Sequence, residues 1–148
     1  MAELGELARL GVPNVFVVDD NFIGDKKKAK SLLRAIAAWQ AERGHPIELM
    51  TEASINLAQD AELLSLMRDA NFTTLFVGIE SPRRQPRRDQ QAPEPARGHR
   101  VSVHRIQAAG IEVMAGMIVG FDHDDVSIFD EQFDFIQDAR IPVSMTGP

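Results

Sequence analysis

The sequence predicts an α/β protein built around a parallel β-sheet. Apolar runs, often β-branched, alternate with amphipathic helical segments, and they begin about 27 to 37 residues apart, the length of a βα unit. Within each run the apolarity is continuous rather than alternating, which is typical of strands covered on both faces. We expect five strands, at residues 14–20, 47–52, 74–80, 111–122 and 141–147.

The segments between these strands carry helix start and stop signals. Asp25 and Asp60 are suited to cap the first two helices, and either Asp125 or Ser127 the third. The opening ELGELARLGVP predicts the end of a helix that leads into the first strand. The side chains expected to face inward are Ala29, Leu32, Leu33, Ile36, Ala37 and Gln40 in the first helix, Leu63, Leu64, Met67 and Ala70 in the second, and Phe129, Phe133 and Ile136 in the third.

Composition excludes several classes of protein. The chain has 148 residues, the length of one domain, and its net charge of −6 argues against general nucleic-acid binding. It has no cysteine, which excludes disulfides and thiolate metal sites, and its four histidines are not spaced as metal ligands. There is no apolar run of about 18 residues and no signal-peptide pattern. We therefore expect a cytoplasmic protein with no membrane span and no nucleic-acid partner.

Polar residues stand where the predicted strands end. Asp19, Asp20, Asn21 and Glu80 lie too far before the next helix to cap it, so a ligand-binding role is favoured for them. Asp122, Asp124 and Asp125 are better interpreted as turn formers and helix caps. The cluster Lys26-Lys27-Lys28-Lys30 is either a solvated helix face or a basic lip beside an anionic ligand.

The periodicity alone leaves two architectures open, an open doubly wound sheet and an arc of a barrel. In the first, FVVDDN would belong to a receiver-type domain, a non-catalytic module that binds phosphoryl groups or nucleotides through Asp19 and Asp20. That fold also needs an acceptor Asp after its third strand and a Lys after its fifth. Neither follows the corresponding strands here, so this function is retained only as the alternative.

Four longer segments resemble radical S-adenosylmethionine (SAM) enzymes of the subgroup with an upstream cobalamin-binding domain. They are VFVVDDNFIGDKKKAKSLLRAIAAWQ, ELMTEASINLAQDAELLSLM, FTTLFVGIESP and HRIQAAGIEVMAGMIVGFDHDDVSIFD, and they occur in the order found in the family. The resemblance implies a partial parallel (β/α)₆ TIM-like barrel that binds SAM across the C-terminal ends of its strands. For the parent enzyme it also implies a [4Fe–4S] cluster, cobalamin and radical chemistry such as methylation.

The resemblance also implies which residues contact SAM. Asp19, Asp20 and Asn21 stand where family members contact the methionine moiety, and ribose or carboxylate contacts follow the next strand at Glu52 and Ser54. The other positions carried over from the family are Glu80 and Ser81 after the third strand, and Gly116, Ile118 and Gly120, a Gly-x-Ile-x-Gly pattern that lies beside the adenine.

The chain departs from the family at the cluster. Family members hold the cluster with Cys-x₃-Cys-x₂-Cys after the first barrel strand, and this sequence has no cysteine. We expect a fragment without the first barrel strand, the cobalamin-binding domain and the C-terminal substrate region. Such a fragment would be inactive by itself.

Residues 83–100, RRQPRRDQQAPEPARGHR, interrupt the family pattern. The stretch holds six of the sixteen Lys and Arg residues and contains no Val, Ile, Leu, Met or Phe. It lacks the interleaved aromatic residues of a nucleic-acid-binding arm. Reading its codons one nucleotide later permits a helix-bearing segment, so our hypothesis is a pair of compensating frameshifts. We expect residues 83–99 to be poorly ordered.

Overall fold

A computed structural model of the protein describes residues 1–81, 96–122 and 124–148, and it contains five strands. The strands are β1 (Asn14–Val17), β2 (Glu48–Glu52), β3 (Phe72–Glu80), β4 (Glu112–Ile118) and β5 (Val143–Gly147). The α-helices are α1 (Ala2–Arg9), α2 (Lys26–Glu42), α3 (Ala61–Asp69), α4 (Ala96–Ala108) and α5 (Ser127–Asp138), and a 3₁₀ helix spans Ile55–Gln59. None of the described helices is long and apolar enough to span a membrane.

The strands form one parallel sheet in the order β1-β2-β3-β4-β5, which is also their order along the chain. A doubly wound sheet reverses its strand order at a switch point, and this sheet does not. The predicted α/β arc of a TIM-like barrel is therefore confirmed. The strand order contradicts the receiver-type alternative built on Asp19 and Asp20.

The two faces of the sheet differ, contrary to the expectation that both are covered. Helices cover the outer face, where Leu49, Leu75 and Val113 are fully buried. The inner face is only partly covered, and Phe16 on the first strand is 43% exposed. The reason is the open arc, whose concave side has no packed layer among the described residues, so burial alternates along β2 and β4.

Helix α2 begins where predicted, directly after Asp25. The Asp25 carboxylate accepts hydrogen bonds from the backbone N–H groups of Lys27 and Lys28, both at 3.1 Å, and the Lys28 bond lowers the pKa of Asp25. Near the other end, the buried Gln40 amide donates to the carbonyl of Ile47 at 2.6 Å. This bond ties the helix to the start of β2. Leu32, predicted to face inward, is instead 45% exposed.

Helix α3 is capped by Asp60, and the same carboxylate links it to α2. One Asp60 oxygen accepts from the Leu63 N–H at 3.0 Å, and the other lies 2.9 Å from the Lys30 ammonium. Lys30 also binds Glu62 at 2.8 Å. These contacts raise the pKa of Lys30, chiefly through Glu62, and they lower the pKa of both carboxyl groups, chiefly through Lys30. Lys30 is therefore an inter-helix contact, neither a solvated face nor a basic lip.

Helix α5 buries a different stripe from the one predicted. Phe129 and Phe133 are 61% and 62% exposed, whereas Ile128, Gln132 and Phe135 are buried. Both stripes have helical spacing, so periodicity alone did not separate them. The choice is set by Gln132, whose amide donates to the carbonyl of Ile118 at 2.7 Å. The helix start is held by Asp125, which accepts from the Ser127 N–H at 2.9 Å.

Helix α4 begins at Ala96, inside the segment expected to be poorly ordered. Residues 96–99 form the first turn of α4, and the expectation that they are poorly ordered stays a prediction. In the next turn Arg100 donates to Asp138 of α5 at 2.7 Å. Residues 83–95 of the predicted segment lie outside the described residues. The hypothesis of two compensating frameshifts, which rests on them, therefore stays a hypothesis.

Replacing Asp60 with Asn tests the ion pair between α2 and α3. Asn keeps an oxygen that can cap α3 but removes the charge that faces Lys30, so we expect a urea midpoint roughly 0.3 M lower at pH 7. Folding lowers the pKa of Asp60, so its charge stabilises the fold above the unfolded pKa of about 3.9. This contribution is lost as the pH falls through the folded pKa. Denaturation at pH 7 and pH 2 measures the difference, and an equal difference at both pH values would contradict the account.

Candidate functional site

The residues singled out at the strand ends lie along one edge of the sheet. Because all five strands are parallel and neighbours in sequence are neighbours in space, their C-terminal ends form a single rim. We call this edge the strand-end rim. It brings together Asp19, Asp20 and Asn21 after β1, Glu52 and Ser54 at and after β2, Glu80 and Ser81 at and after β3, and Ile118 and Gly120 at and after β4.

Buried side chains anchor the loop after β1, and the carboxylates of this loop stay at the surface. Phe22 and Ile23 are buried, and the ring of Phe22 lies 5.3 Å from that of Phe72. The Phe22 N–H donates to the carbonyl of Glu52 at 3.0 Å, which joins this loop to the end of β2. Asp19 and Asp20 stay exposed on the anchored loop. They are therefore fixed at the rim without being paired to a cation there in the described structure.

Asn21 and Ser54, both predicted to contact a ligand, contact each other. The side-chain oxygen of Asn21 accepts from the Ser54 N–H at 3.2 Å and lies 3.4 Å from its hydroxyl. Thr51 adds a third link between the same strands, because its buried hydroxyl donates to the carbonyl of Val17 at 2.9 Å. Sequence reasoning missed Thr51, since a Thr in a strand carries no signal of its own. These bonds hold the first two loops of the rim in a fixed relation.

Glu80 ends β3 in a strained conformation. Its φ is 65°, in the left-handed region that residues other than Gly, Asn and Asp rarely adopt. The register shifts between Gly78 and Glu80, and the Ser81 N–H turns back to the carbonyl of Ile79 at 2.9 Å. Ser81 is buried. Strain of this kind persists only where the surrounding structure enforces it, and it is concentrated at functional sites.

The loop after β4 is held mainly by its own residues. Asp124 accepts from the N–H groups of Gly120 and Phe121, at 3.0 and 3.1 Å. Gly120 itself has a φ of 97°, which accounts for glycine there. The contacts support the interpretation of Asp124 as a turn former, whereas Val126 stands at the N-cap of α5 and no side chain caps that helix. The N–H of Gly120 and the carbonyl of Ile118 are already used within the protein.

Gly116 is glycine because a neighbouring ring takes the space of a side chain. A Cβ added to Gly116 would lie 2.8 Å from Cζ of Phe76 and 3.1 Å from its Cε1. Phe76 is half-buried on the inner face of β3 and leans across to β4. Sequence reasoning missed this residue. The signal that could have found it is the unusual Phe-Val-Gly sequence inside a strand opposite a second glycine.

The residues present fit one of the groups implied by the family and do not fit another. The strand-end rim offers carboxylates and an open inner face, a set that suits a cationic ligand with a flat ring. The chain has no cysteine, so it does not supply the thiolates that hold a [4Fe–4S] cluster. Within residues 1–81, 96–122 and 124–148, no three His, Asp or Glu side chains are grouped to hold a metal ion.

Sequence comparisons identify methyltransferases as relatives. An uncharacterized methyltransferase of Synechocystis is 38% identical over 146 residues, and the hopanoid C-2 methylase of Rhodopseudomonas palustris is 36% identical over 148 residues. Each match covers 97% of this chain, but only 27% and 28% of the respective relative. No protein-family model matches the chain.

Structural comparison gives the fold class. The radical SAM methyltransferase TsrM from Kitasatospora setae, solved with cobalamin and a [4Fe–4S] cluster, superposes with a TM-score of 0.81 at 18% identity. The superposition covers 99% of this chain and 29% of TsrM, which has also been solved with a SAM analogue. Methylornithine synthase (PylB) superposes with a TM-score of 0.60 at 16% identity, covering 43% of that protein.

The chain therefore has the fold of part of a TIM-like α/β barrel. More specifically, it is similar to part of the barrel of radical SAM methyltransferases, and the family resemblance seen in the sequence is confirmed. The chain spans less than a third of the length of the Synechocystis methyltransferase, the hopanoid C-2 methylase and TsrM.

Replacing Gly116 with Ala tests the contact with Phe76. The new methyl group would push the ring aside, so we expect the free energy of unfolding to fall by about 1–2 kcal/mol. In a Phe76→Ala background the same change should be neutral or slightly stabilising, because the obstacle is gone. Urea denaturation of the four proteins of this cycle measures the coupling. Equal effects of Gly116→Ala in both backgrounds would show that Phe76 does not require the glycine.

Proposed function

We propose that the chain is the SAM-binding part of the barrel of a radical SAM methyltransferase. The observation that carries this proposal is the strand-end rim, in which four carboxylates (Asp19, Asp20, Glu52 and Glu80) lie along one edge of a barrel arc similar to that of TsrM. The relatives named for methyl transfer support methylation as the reaction of the parent enzyme.

The proposed binding is chiefly electrostatic at the rim. SAM carries a sulfonium and an ammonium group against one carboxylate, so it is a net cation, and exposed carboxylates attract it. Asp19 and Asp20 supply two of these charges from the anchored loop after β1. Asn21 and Ser54 act by holding the loops in place, since their side chains bind one another.

Catalysis requires a group that this chain does not hold. An iron–sulfur cluster in the parent enzyme would supply the electron for cleavage of SAM, and the 148 residues contain no cysteine thiolate to hold it. The chain alone is then a binding unit and does not cleave SAM. Formation of 5′-deoxyadenosine by the isolated chain, after reconstitution with iron and sulfide and reduction with dithionite, would contradict this.

Calorimetric titration with SAM and with S-adenosylhomocysteine tests the proposed site. The two ligands share the adenosine and the amino-acid tail, but only SAM has the sulfonium charge, so we expect SAM to bind more tightly. The double variant Asp19→Asn, Asp20→Asn should weaken SAM roughly fivefold and affect S-adenosylhomocysteine much less. Added salt should also weaken SAM binding, because it screens the attraction between the ligand's positive charge and the carboxylates.

A matched control comes from two exposed carboxylates on α5, Asp130 and Asp134. The double variant Asp130→Asn, Asp134→Asn removes the same charge from the chain but leaves the strand-end rim intact. It should bind SAM nearly as the unmodified chain does. Absence of SAM binding by the unmodified chain, or equal losses in the two double variants, would overturn the proposed site.

A further inference from the structure

The described sheet has two open edges, which we call the β1 edge and the β5 edge. Within residues 1–81, 96–122 and 124–148, each of these two strands has a neighbour on one side only. Proteins usually protect such an edge with a charged side chain, a proline or a covering segment, because it readily pairs with another strand. Neither β1, with the sequence NVFV, nor β5, with the sequence VSMTG, contains a charged residue or a proline. Both edges are therefore suited to strand pairing.

Large apolar side chains lie exposed beside both edges. Met145 of β5 is paired with Gly116 of β4, which places Val143 and Met145 on the inner face of the sheet. They are 42% and 61% exposed. At the other end of the sheet Phe16 of β1 lies on the same face and is 43% exposed. Apolar side chains grouped at a surface mark places where another molecule binds.

Helix α5 has an apolar flank beside the β5 edge. On one side of this helix Asp138 accepts a hydrogen bond from Arg100 of α4. With 3.6 residues per turn, Phe129 lies on the opposite side of the helix from Asp138. Phe129 and Phe133 are 61% and 62% exposed. The side of α5 that faces away from α4 is therefore apolar and uncovered in the described structure.

Helix α1 stands at the other end of the sheet, beside the β1 edge. Connections between parallel strands are right-handed, so the helix before a strand lies over the side of that strand where a preceding strand would pair. No residue of α1 is fully buried. Leu4 and Leu7 pack against the core but stay half-buried, and Leu10 is 61% exposed. Like α5, this helix has apolar surface left for a neighbour.

We propose that two copies of this chain associate head to tail, with the β1 edge of one copy beside the β5 edge of the other. Parallel pairing at this junction continues the strand order of the sheet. It brings α1 of one copy against Phe129 and Phe133 of the other copy, and Phe16 beside Met145 on the inner face.

A second copy fits these surfaces because it carries both complementary parts on one rigid unit. The β1 edge supplies the strand that β5 lacks, and α1 is already joined to it and supplies the helix that α5 lacks. The two ends of the chain's sheet are different surfaces, so a pair of copies related by a two-fold axis engages both ends of each copy. This inference does not depend on the proposed function, and it concerns the ligand-free chain.

Sedimentation velocity of the ligand-free chain at increasing concentration tests the association. The unmodified chain should change from monomer to dimer. The α5-end variant, Phe129→Asp with Phe133→Asp, should raise the dissociation constant at least about tenfold, because the junction would bury its charges. The β1-end variant, Leu10→Asp with Phe16→Asp, should do the same. All four side chains are exposed, so the melting temperature should change little. If the Phe16 change prevents folding, Leu10→Asp alone serves as the β1-end variant.

Mixing the two variants tests whether the contact is head to tail. Each variant keeps one intact end, so an equimolar mixture should form a dimer through one intact junction, although neither variant does so alone. An isologous contact between two α5 helices would instead let the β1-end variant dimerise by itself, which would overturn the proposal. A mixture that associates no more than its components would also overturn it, and so would an unmodified chain that stays monomeric.

The matched control is the double variant Leu32→Asp with Val101→Asp. These side chains are 45% and 43% exposed and lie on α2 and α4, which border neither open edge. The control adds the same charge to the chain as each of the other variants. It should dimerise as the unmodified chain does. Equal weakening by the control would show that added charge alone opposes association and would contradict the proposed junction.

Discussion

Parallel pairing of strands that are consecutive in sequence is the constraint on which the other features of this protein depend. Each strand pairs with the next one along the chain, so every loop that follows a strand emerges at the same edge. Hydrogen bonds between those loops then fix the edge: Asn21 with Ser54, Phe22 with Glu52, and Thr51 with Val17. Carboxylates far apart in the sequence thereby lie along one edge of the sheet, where we propose that a cationic ligand binds.

The two faces of the sheet differ in how far they are covered. The outer face is sealed by helices that are tied down by capping carboxylates, buried amides and the Lys30 contacts. The inner face is only partly covered, and on it the ring of Phe76 lies against Gly116, where a Cβ would collide with it. The outer face therefore accounts for much of the stability, whereas the inner face and the rim hold the residues that we propose bind the ligand.

Much of this arrangement could be predicted from the sequence, because the signals are local. The caps at Asp25 and Asp60 and the inward stripe of α3 follow from residue type and helical spacing. The sequence favoured the wrong stripe of α5, since the buried one includes the polar Gln132, whose amide finds the carbonyl of Ile118 on another element. It also gave no sign of the contact between Gly116 and Phe76, because the ring of Phe76 comes from another strand. Features that depend on cross-strand neighbours are not visible in a one-dimensional pattern.

Residue-resolved NMR of the isotopically labelled chain during titration with SAM is the most direct test of the central claim. If SAM binds at the strand-end rim, the amide signals that shift should lie at residues 17–21, 52–54, 78–81 and 116–120. Those of the exposed sides of α2 and α5 should stay in place. Shifts confined to the outer helices, or no shifts at saturating SAM, would contradict the account.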